Sequence, residues 1–356
     1  MIESARSSTS SMAAPASTRR GDDLRLLVLG GTQFVGRAVV AEALAHGWDV
    51  TTFNRGRSGR DLAGVTAIRG DRWDRSDLEL LAEAEPWDAV VDSSGYVPRN
   101  VLEVAEVLEP SARRFLFVST LSVYEGWPVQ PLTEDSPTLP CPPDADETFG
   151  TNTENGPTQY GYQKSGCEAA VLQVFGAQRS ALLRAGVVLG PHEYVGRLPW
   201  WLERIARGGR VLAPGDPQRS IQPIDVRDIA SFAISAVENG VVGAFNLTGS
   251  GEETFGDFLD ACVKATGAAP ELIWTPDEVL LEHGVRQWSE LPLWRVAPGT
   301  WDVDSAKARA AGLVNRPIAE TVRDTWEWLR GVQLDENERS AEIGISPQKE
   351  QRILDR

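Results

Sequence analysis

The chain is poor in the residues that build metal centres and thiol chemistry. Its 356 residues include three cysteines, Cys141, Cys167 and Cys262, and three histidines, His46, His192 and His283. Their spacing fits no metal site, no disulfide framework and no cysteine–histidine nucleophile, so reduced thiols and no metal are expected. Long apolar runs are also missing: none reaches the roughly 18 residues of a membrane helix. Positive charge is scarce, with 35 Lys and Arg against 51 Asp and Glu and a formal charge of -16. Nucleic acid and anionic membrane both require a basic face, which disfavours them as partners. The expectation is a cytoplasmic protein, monomer or homodimer, acting on a small molecule.

Residues 1–23, rich in Ser, Ala and Thr without apolar periodicity, are read as a disordered extension with no apolar signal core. Order begins at Leu24, where an apolar run of buried-strand length stops at Gly30-Gly31-Thr32-Gln33-Phe34-Val35-Gly36 and continues with helical periodicity. A glycine turn between strand and helix brings backbone amides and the helix dipole up to a pyrophosphate. The second strand, over residues 48–53, ends in Asn54-Arg55-Gly56-Arg57. An acid there would read a ribose 2′-hydroxyl; Asn54 with Arg55 and Arg57 suits a 2′-phosphate, so NADP is expected and NAD stays possible. The alternative is that these arginines only solvate a loop.

Strand and helix continue to alternate, which implies a parallel sheet covered on both faces. Asp71-Arg72 follows the third strand, Ser93-Ser94-Gly95 the fourth, and the fifth ends at Ser119-Thr120, placing hydroxyls at the carboxyl edge where such sheets bind ligands. Between Gly126 and Pro157 lie seven prolines in a stretch too long for a simple connection, read as a substrate-covering loop. Then come Tyr160 and Lys164, four residues apart on one helix face. A protonated lysine beside a phenol favours phenolate and tunes the group for proton transfer. After a sixth strand and Val187-Val188 the pattern turns irregular and rich in tryptophan, with Trp200-Trp201 a candidate pocket wall.

Taken together, LGGTQFVG, GDR, VSTLSVY, YGYQK, LLRAGVVLGP, PIDVRDIA and GAFNLTG stand in an order that resembles the extended and atypical short-chain dehydrogenase/reductases, the group of NAD(P)-dependent sugar epimerases, dehydratases and reductases. The resemblance covers roughly residues 24–330. It implies an α/β fold, a Rossmann-type doubly wound parallel sheet (mainly 24–190) with a smaller C-terminal α/β substrate lobe (mainly 191–335) and an extension over 336–356. It implies Thr120, Tyr160 and Lys164 as the catalytic set, with Thr120 binding the substrate oxygen, Tyr160 as acid/base and Lys164 also holding the nicotinamide ribose. Gly30, Thr32, Gln33, Phe34 and Val35 would hold pyrophosphate, Asp71 and Arg72 the adenine, Ser93, Ser94 and Gly95 the ribose beside the nicotinamide, and the backbone at Val187 and Val188 the carboxamide.

Three departures narrow the chemistry. Gln33 replaces the middle glycine of the usual turn, a change also met in the atypical branch, which resembles chloroplast RNA-binding relatives and bacterial reductases. Leu121-Ser122 replaces the Asp-Glu pair of sugar dehydratases, which disfavours water elimination. The arginine that clamps nucleotide-sugar diphosphates appears as Ile221, with Arg219 two residues away. The expected function is carbonyl/alcohol hydride transfer on a small molecule, such as a sugar or secondary metabolite; the alternatives are sugar epimerisation through a transient ketone and a non-enzymatic cofactor-sensing or RNA-binding relative.

Overall fold

The computed structural model describes residues 24–355 apart from Glu85, Asn155, Asp335, Glu336 and Glu338, so the N-terminal extension read from residues 1–23 lies outside the described residues. The chain opens with β1 (Arg25–Leu29), α1 (Phe34–Ala45), β2 (Asp49–Asn54), β3 (Thr66–Arg69) and α2 (Arg75–Glu83). It continues with β4 (Ala89–Asp92), α3 (Pro98–Leu108), β5 (Phe115–Thr120), α4 (Gln159–Phe175) and β6 (Ser180–Ala185). Apolar runs such as LLVL and FLFV are buried on both faces, as a covered parallel sheet requires. The short β7 (Val188–Leu189) follows, then α5 (Arg197–Ala206), β8 (Arg210–Pro214), β9 (Ile224–Asp225), α6 (Val226–Asn239) and β10 (Gly243–Leu247).

Seven of these strands form one parallel sheet in the order β10-β6-β5-β4-β1-β2-β3. From β1 the chain works outward to β3, then returns to place β4 on the other side of β1. That reversal opens a crevice at the carboxyl ends of β1 and β4, the topological switch point where open α/β sheets bind ligands. One face is packed by α1 and α6 and the other by α2, α3 and α4, each over its own apolar cluster.

The lobe has a separate core. A two-stranded sheet pairs β8 with β11 (Glu271–Thr275), and α5 packs with α7 (Phe255–Thr266) and α10 (Ile318–Leu329). The short helix α8 (Asp277–Glu282) joins this core through Leu280, whereas α9 (Ala306–Ala310) packs against β10 with Ala308 in the sheet's cluster. The C-terminal α11 (Pro347–Leu354) belongs to this core: Ile353 and Leu354 are buried in it, and Glu350 accepts two bonds from Arg204 Nε at 2.9 Å, both side chains being nearly sealed from water. Trp201, expected on a pocket wall, is instead fully buried with its indole N–H on the Pro292 carbonyl, while Trp200 packs against Gly344. Adjacency to β6 in sequence did not fix which way the indoles point; the apolar side of α5 took them inward.

Candidate active site

A cleft of about 1090 Å³ runs from the glycine turn across the switch point to the lobe. Gly30, Thr32, Gln33, Phe34 and Val35 line one end, at the start of α1. Phe34 takes a positive φ of 35°, rare for a side chain of its size, at the point where the chain turns into the helix. At Gly36 a Cβ would lie 2.4 Å from Ser93 Oγ and 2.7 Å from the Gly31 nitrogen, so only glycine lets the turn close on the β4 end. This cradle of backbone at a helix N-terminus fits a dinucleotide pyrophosphate.

Asn54 and Arg55 stand at the cleft end of β2. The Asn54 side chain is engaged at both ends: its oxygen accepts from Gly56 N at 2.8 Å and Arg69 Nη1 at 2.7 Å, and its amide donates to Asp61 at 3.0 Å. Asp61 is itself held by Thr52 and Arg69. Arg55 is exposed at the cleft, with no side-chain hydrogen bond or ion pair among the described residues, whereas Arg57 lies outside the cleft lining. Asp71 lines the cleft as expected. Arg72 lines the cleft as well, and its guanidinium grips Asp92 at 2.8 and 2.9 Å, Ser94 Oγ at 2.9 Å and Asn100. Burial opposes both charges of the Arg72–Asp92 pair, and their mutual attraction overcomes it, raising the arginine and lowering the aspartate. The pair braces the β4 end of the cleft.

The catalytic candidates meet at the carboxyl end of β5. Thr120 Oγ1 accepts from Ser122 N at 3.2 Å in a short 3₁₀ turn, Leu121–Val123, its hydroxyl donates to Ser122 Oγ at 3.3 Å, and it stands close enough to the Tyr160 phenol to lower its pKa. Tyr160, on the first turn of α4, is 39% exposed because it stands on the cleft wall. Burial of the ionised form raises the phenol above its ordinary 10.0, while the Thr120 hydrogen bond and the fields of Arg339 and Arg197 pull it back. Gly161 makes the approach possible, since a Cβ there would sit 2.2 Å from the Ser122 carbonyl oxygen. Gly161→Ala is expected to push α4 off this turn and, by displacing Tyr160, to lower turnover by about 10²-fold, as ångström-scale misplacement does; rates measured beside cofactor affinity check it, with affinity changing much less.

Lys164 is not laid directly against Tyr160 as the spacing suggested. Its ammonium donates to the Gly95 and Val118 carbonyls at 2.9 and 2.6 Å and lies 4.2 Å from the Phe117 ring centroid. Gly95 thus serves the site through its carbonyl, behind Ser93 and Ser94, which line the cleft. Burial pushes Lys164 down to about 8, only partly offset by Cys167 and Asp92. Below that pH the folded and unfolded chains both carry the proton; from there up to the unfolded lysine value of about 10.4 only the unfolded chain does. Stability of the cofactor-free protein is therefore expected to rise across that window. Urea unfolding at its two ends checks this, and Lys164→Met should flatten the slope.

Val187 and Val188 close the inner wall. Residues that local sequence gave no sign of complete the cleft: Tyr96, Trp127, Tyr194, Arg197, Trp288, Arg295, Trp301 and Arg339. They come from six separate segments, joined only by folding. Trp127 and Glu154 bring the proline-rich loop onto the cleft, whereas Arg219 is absorbed by Asp277 in the lobe.

Among the described residues no helix is long and apolar enough to cross a membrane, and no group of acidic, histidine or cysteine side chains could hold a metal. The profile of the NAD dependent epimerase/dehydratase family matches residues 26–248, the span from β1 to β10. The chain is similar to the chloroplast stem-loop binding protein of 41 kDa b from Arabidopsis thaliana, 25% identical over 272 residues, 71% of this chain and 67% of that one. It is also similar to a dTDP-6-deoxy-L-talose 4-dehydrogenase (NAD(P)(+)) from Kitasatospora kifunensis, 23% identical over 334 residues, 85% and 94% of the two chains. In fold it matches the Bordetella bronchiseptica enzyme WbmG, solved in complex with NAD and UDP, with a TM-score of 0.64 at 19% identity over 87% of this chain and 96% of that one. The chain belongs to the NAD dependent epimerase/dehydratase family and is an NAD(P)-dependent enzyme.

Proposed function

We propose that this protein is an NADP(H)-preferring oxidoreductase that interconverts a carbonyl and an alcohol on a small molecule, with Tyr160 as proton donor and acceptor. The observation that carries the reading is the meeting of the Thr120 hydroxyl, the Tyr160 phenol and the buried Lys164 ammonium in the cleft that also holds the glycine turn. A nicotinamide cofactor bound along that cleft supplies or accepts the hydride. Thr120 orients the substrate oxygen, and Tyr160 gives a proton to that oxygen as it gains negative charge, or takes one in reverse. Lys164 keeps a positive charge beneath the site, which stabilises that transfer.

The preference for a 2′-phosphate rests on Arg55, a cation at the end of β2 with no side-chain partner among the described residues, and on the neutral Asn54 beside it, engaged at its oxygen and its amide. A charge-assisted bond is worth about 1.5–3 kcal/mol, so Arg55→Ala is expected to weaken NADPH binding roughly ten- to a hundredfold and to leave NADH nearly unchanged. Titrating both cofactors against tryptophan fluorescence checks it; equal affinities that ignore Arg55→Ala would sink the preference.

Epimerisation is the neighbouring reading, since the family's description includes epimerases and one relative is named as a dTDP-6-deoxy-L-talose 4-dehydrogenase, an enzyme of sugars. It uses the same Tyr160 step but regenerates the cofactor, so it yields product with no net change in reduced nicotinamide. The chloroplast relative is named for stem-loop binding; a formal charge of -16 works against a nucleic-acid role here, and salt-dependent retention on RNA without turnover would favour it.

A further inference from the structure

Two arginines of the cleft have no part in this proton and hydride chemistry. Arg197 opens α5, and Arg295 follows the buried Trp294. Both guanidinium groups lie over one indole, Trp288, at 6.0 and 5.5 Å from its ring, and Arg295 also lies 4.7 Å from the Trp127 ring. Aromatic faces attract a cation but do not neutralise it. Arg197 has an acid nearby, the buried Glu193 at 3.8 Å, yet the two Glu193 oxygens already accept the backbone N–H groups of Arg197 and Leu198 at 2.9 and 3.1 Å. The Arg197 Nε is buried with no hydrogen-bond partner. Among the described residues no carboxylate pairs with Arg295. Burial pulls both arginines below their usual pKa, so each has lost water without full compensation.

Two under-compensated cations facing one aromatic wall of a cleft call for an anion from outside. The position matters as well: Arg197 and Arg295 line the same cleft as Thr120 and Tyr160. We propose that Arg197 and Arg295 form an anion-binding subsite against Trp288, and that the substrate reduced or oxidised at Tyr160 carries a carboxylate or phosphate group. The substrate half of this statement rests on the hydride-transfer reading; the subsite does not. Arg219 plays no part, being paired with Asp277. Glu193 is a positioning residue: it anchors the α5 amides and keeps the Arg197 guanidinium turned to the cleft.

The test is calorimetric titration of the full chain with inorganic phosphate and with malonate, NADPH and NADH both present to fill the pyrophosphate turn, at ionic strength held constant with chloride. Saturable binding of at least one probe is expected, and which one binds tells phosphate from carboxylate. Losing a charge-assisted bond of about 1.5–3 kcal/mol should weaken that probe about tenfold or more in Arg295→Gln and in Arg197→Gln. Arg295→Lys should recover part of the loss, and unchanged cofactor affinity shows that the variants fold. With substrates, a carbonyl compound carrying the anion that the titration selects, a keto acid or a phosphorylated ketone, is expected to outperform its neutral methyl ester through KM, a preference lost in Arg295→Gln. Probe binding that is absent or indifferent to both glutamine variants, or that compound and its ester turned over equally, overturns the proposal. Probe binding that survives while no carbonyl compound is turned over sinks the hydride-transfer reading and leaves the subsite standing.

Discussion

Tyr160→Phe is expected to lose about 10²- to 10⁴-fold in turnover, the range for removal of a general acid or base, while cofactor affinity stays near wild type. The phenol oxygen faces Thr120 across the cleft wall, and its deletion removes the proton without disturbing the glycine turn or the Lys164 anchor. Lys164→Ala should damage both quantities. It takes a buried ammonium from the Gly95 and Val118 carbonyls and withdraws the positive charge beneath the Tyr160 end of the cleft. Thr120→Ala falls between, lowering turnover through a lost positioning bond and leaving cofactor binding intact. Dissociation constants measured beside initial rates separate the three; wild-type turnover in Tyr160→Phe would refute the catalytic assignment even with the fold intact.

The largest effect on stability is expected from Glu168→Ala. Glu168 on α4 receives Arg184 of β6 through three bonds of 2.7 to 3.2 Å, and both side chains are nearly sealed from water. Arg184 also donates to Tyr124 Oη at 2.9 Å, and that hydroxyl donates to Asn246 of β10 at 2.6 Å. The network fixes the helix that carries Tyr160 to two strands of the sheet. Removing the carboxylate leaves a buried guanidinium without its partner, which costs about 3–5 kcal/mol. Replacing both members by apolar residues, as in Glu168→Leu with Arg184→Met, should cost much less, because the desolvation of the charges disappears with them. Urea unfolding of the single and double variants checks the contrast; equal losses in both would assign the effect to packing instead.

Much of the sheet was legible because its strands are short apolar runs ending in glycine or small polar residues, and a parallel sheet leaves no other place for LLVL or FLFV. The Tyr160 and Lys164 pair was legible from its helical spacing, as was Thr120 from its place at a strand end. What the spacing could not tell is where the ammonium goes: it bonds Gly95 and Val118, residues 69 and 46 positions away, not the phenol. Arg72 was read from its place after a strand, and nothing local told that its guanidinium pairs with Asp92 and Asn100, distant in sequence. Trp200 and Trp201 failed as a pocket wall for a similar reason. The lobe's contribution, Arg197, Trp288 and Arg295, carries no local signature, since the start of α5 and the loop that holds Trp288 and Arg295 gain their meaning only when folding brings them together. Residues 347–354 read as part of an extension, but Glu350 and Ile353 tie them into the lobe core.

The most direct test follows the absorbance of reduced nicotinamide while the purified protein is offered a panel of small ketones, keto acids and nucleotide sugars with NADPH or NADH. The account predicts stoichiometric oxidation of NADPH with at least one carbonyl compound, abolished by Tyr160→Phe. Product formation from a sugar with no net loss of NADPH, or no turnover of any compound by a protein that binds the cofactor, would contradict it.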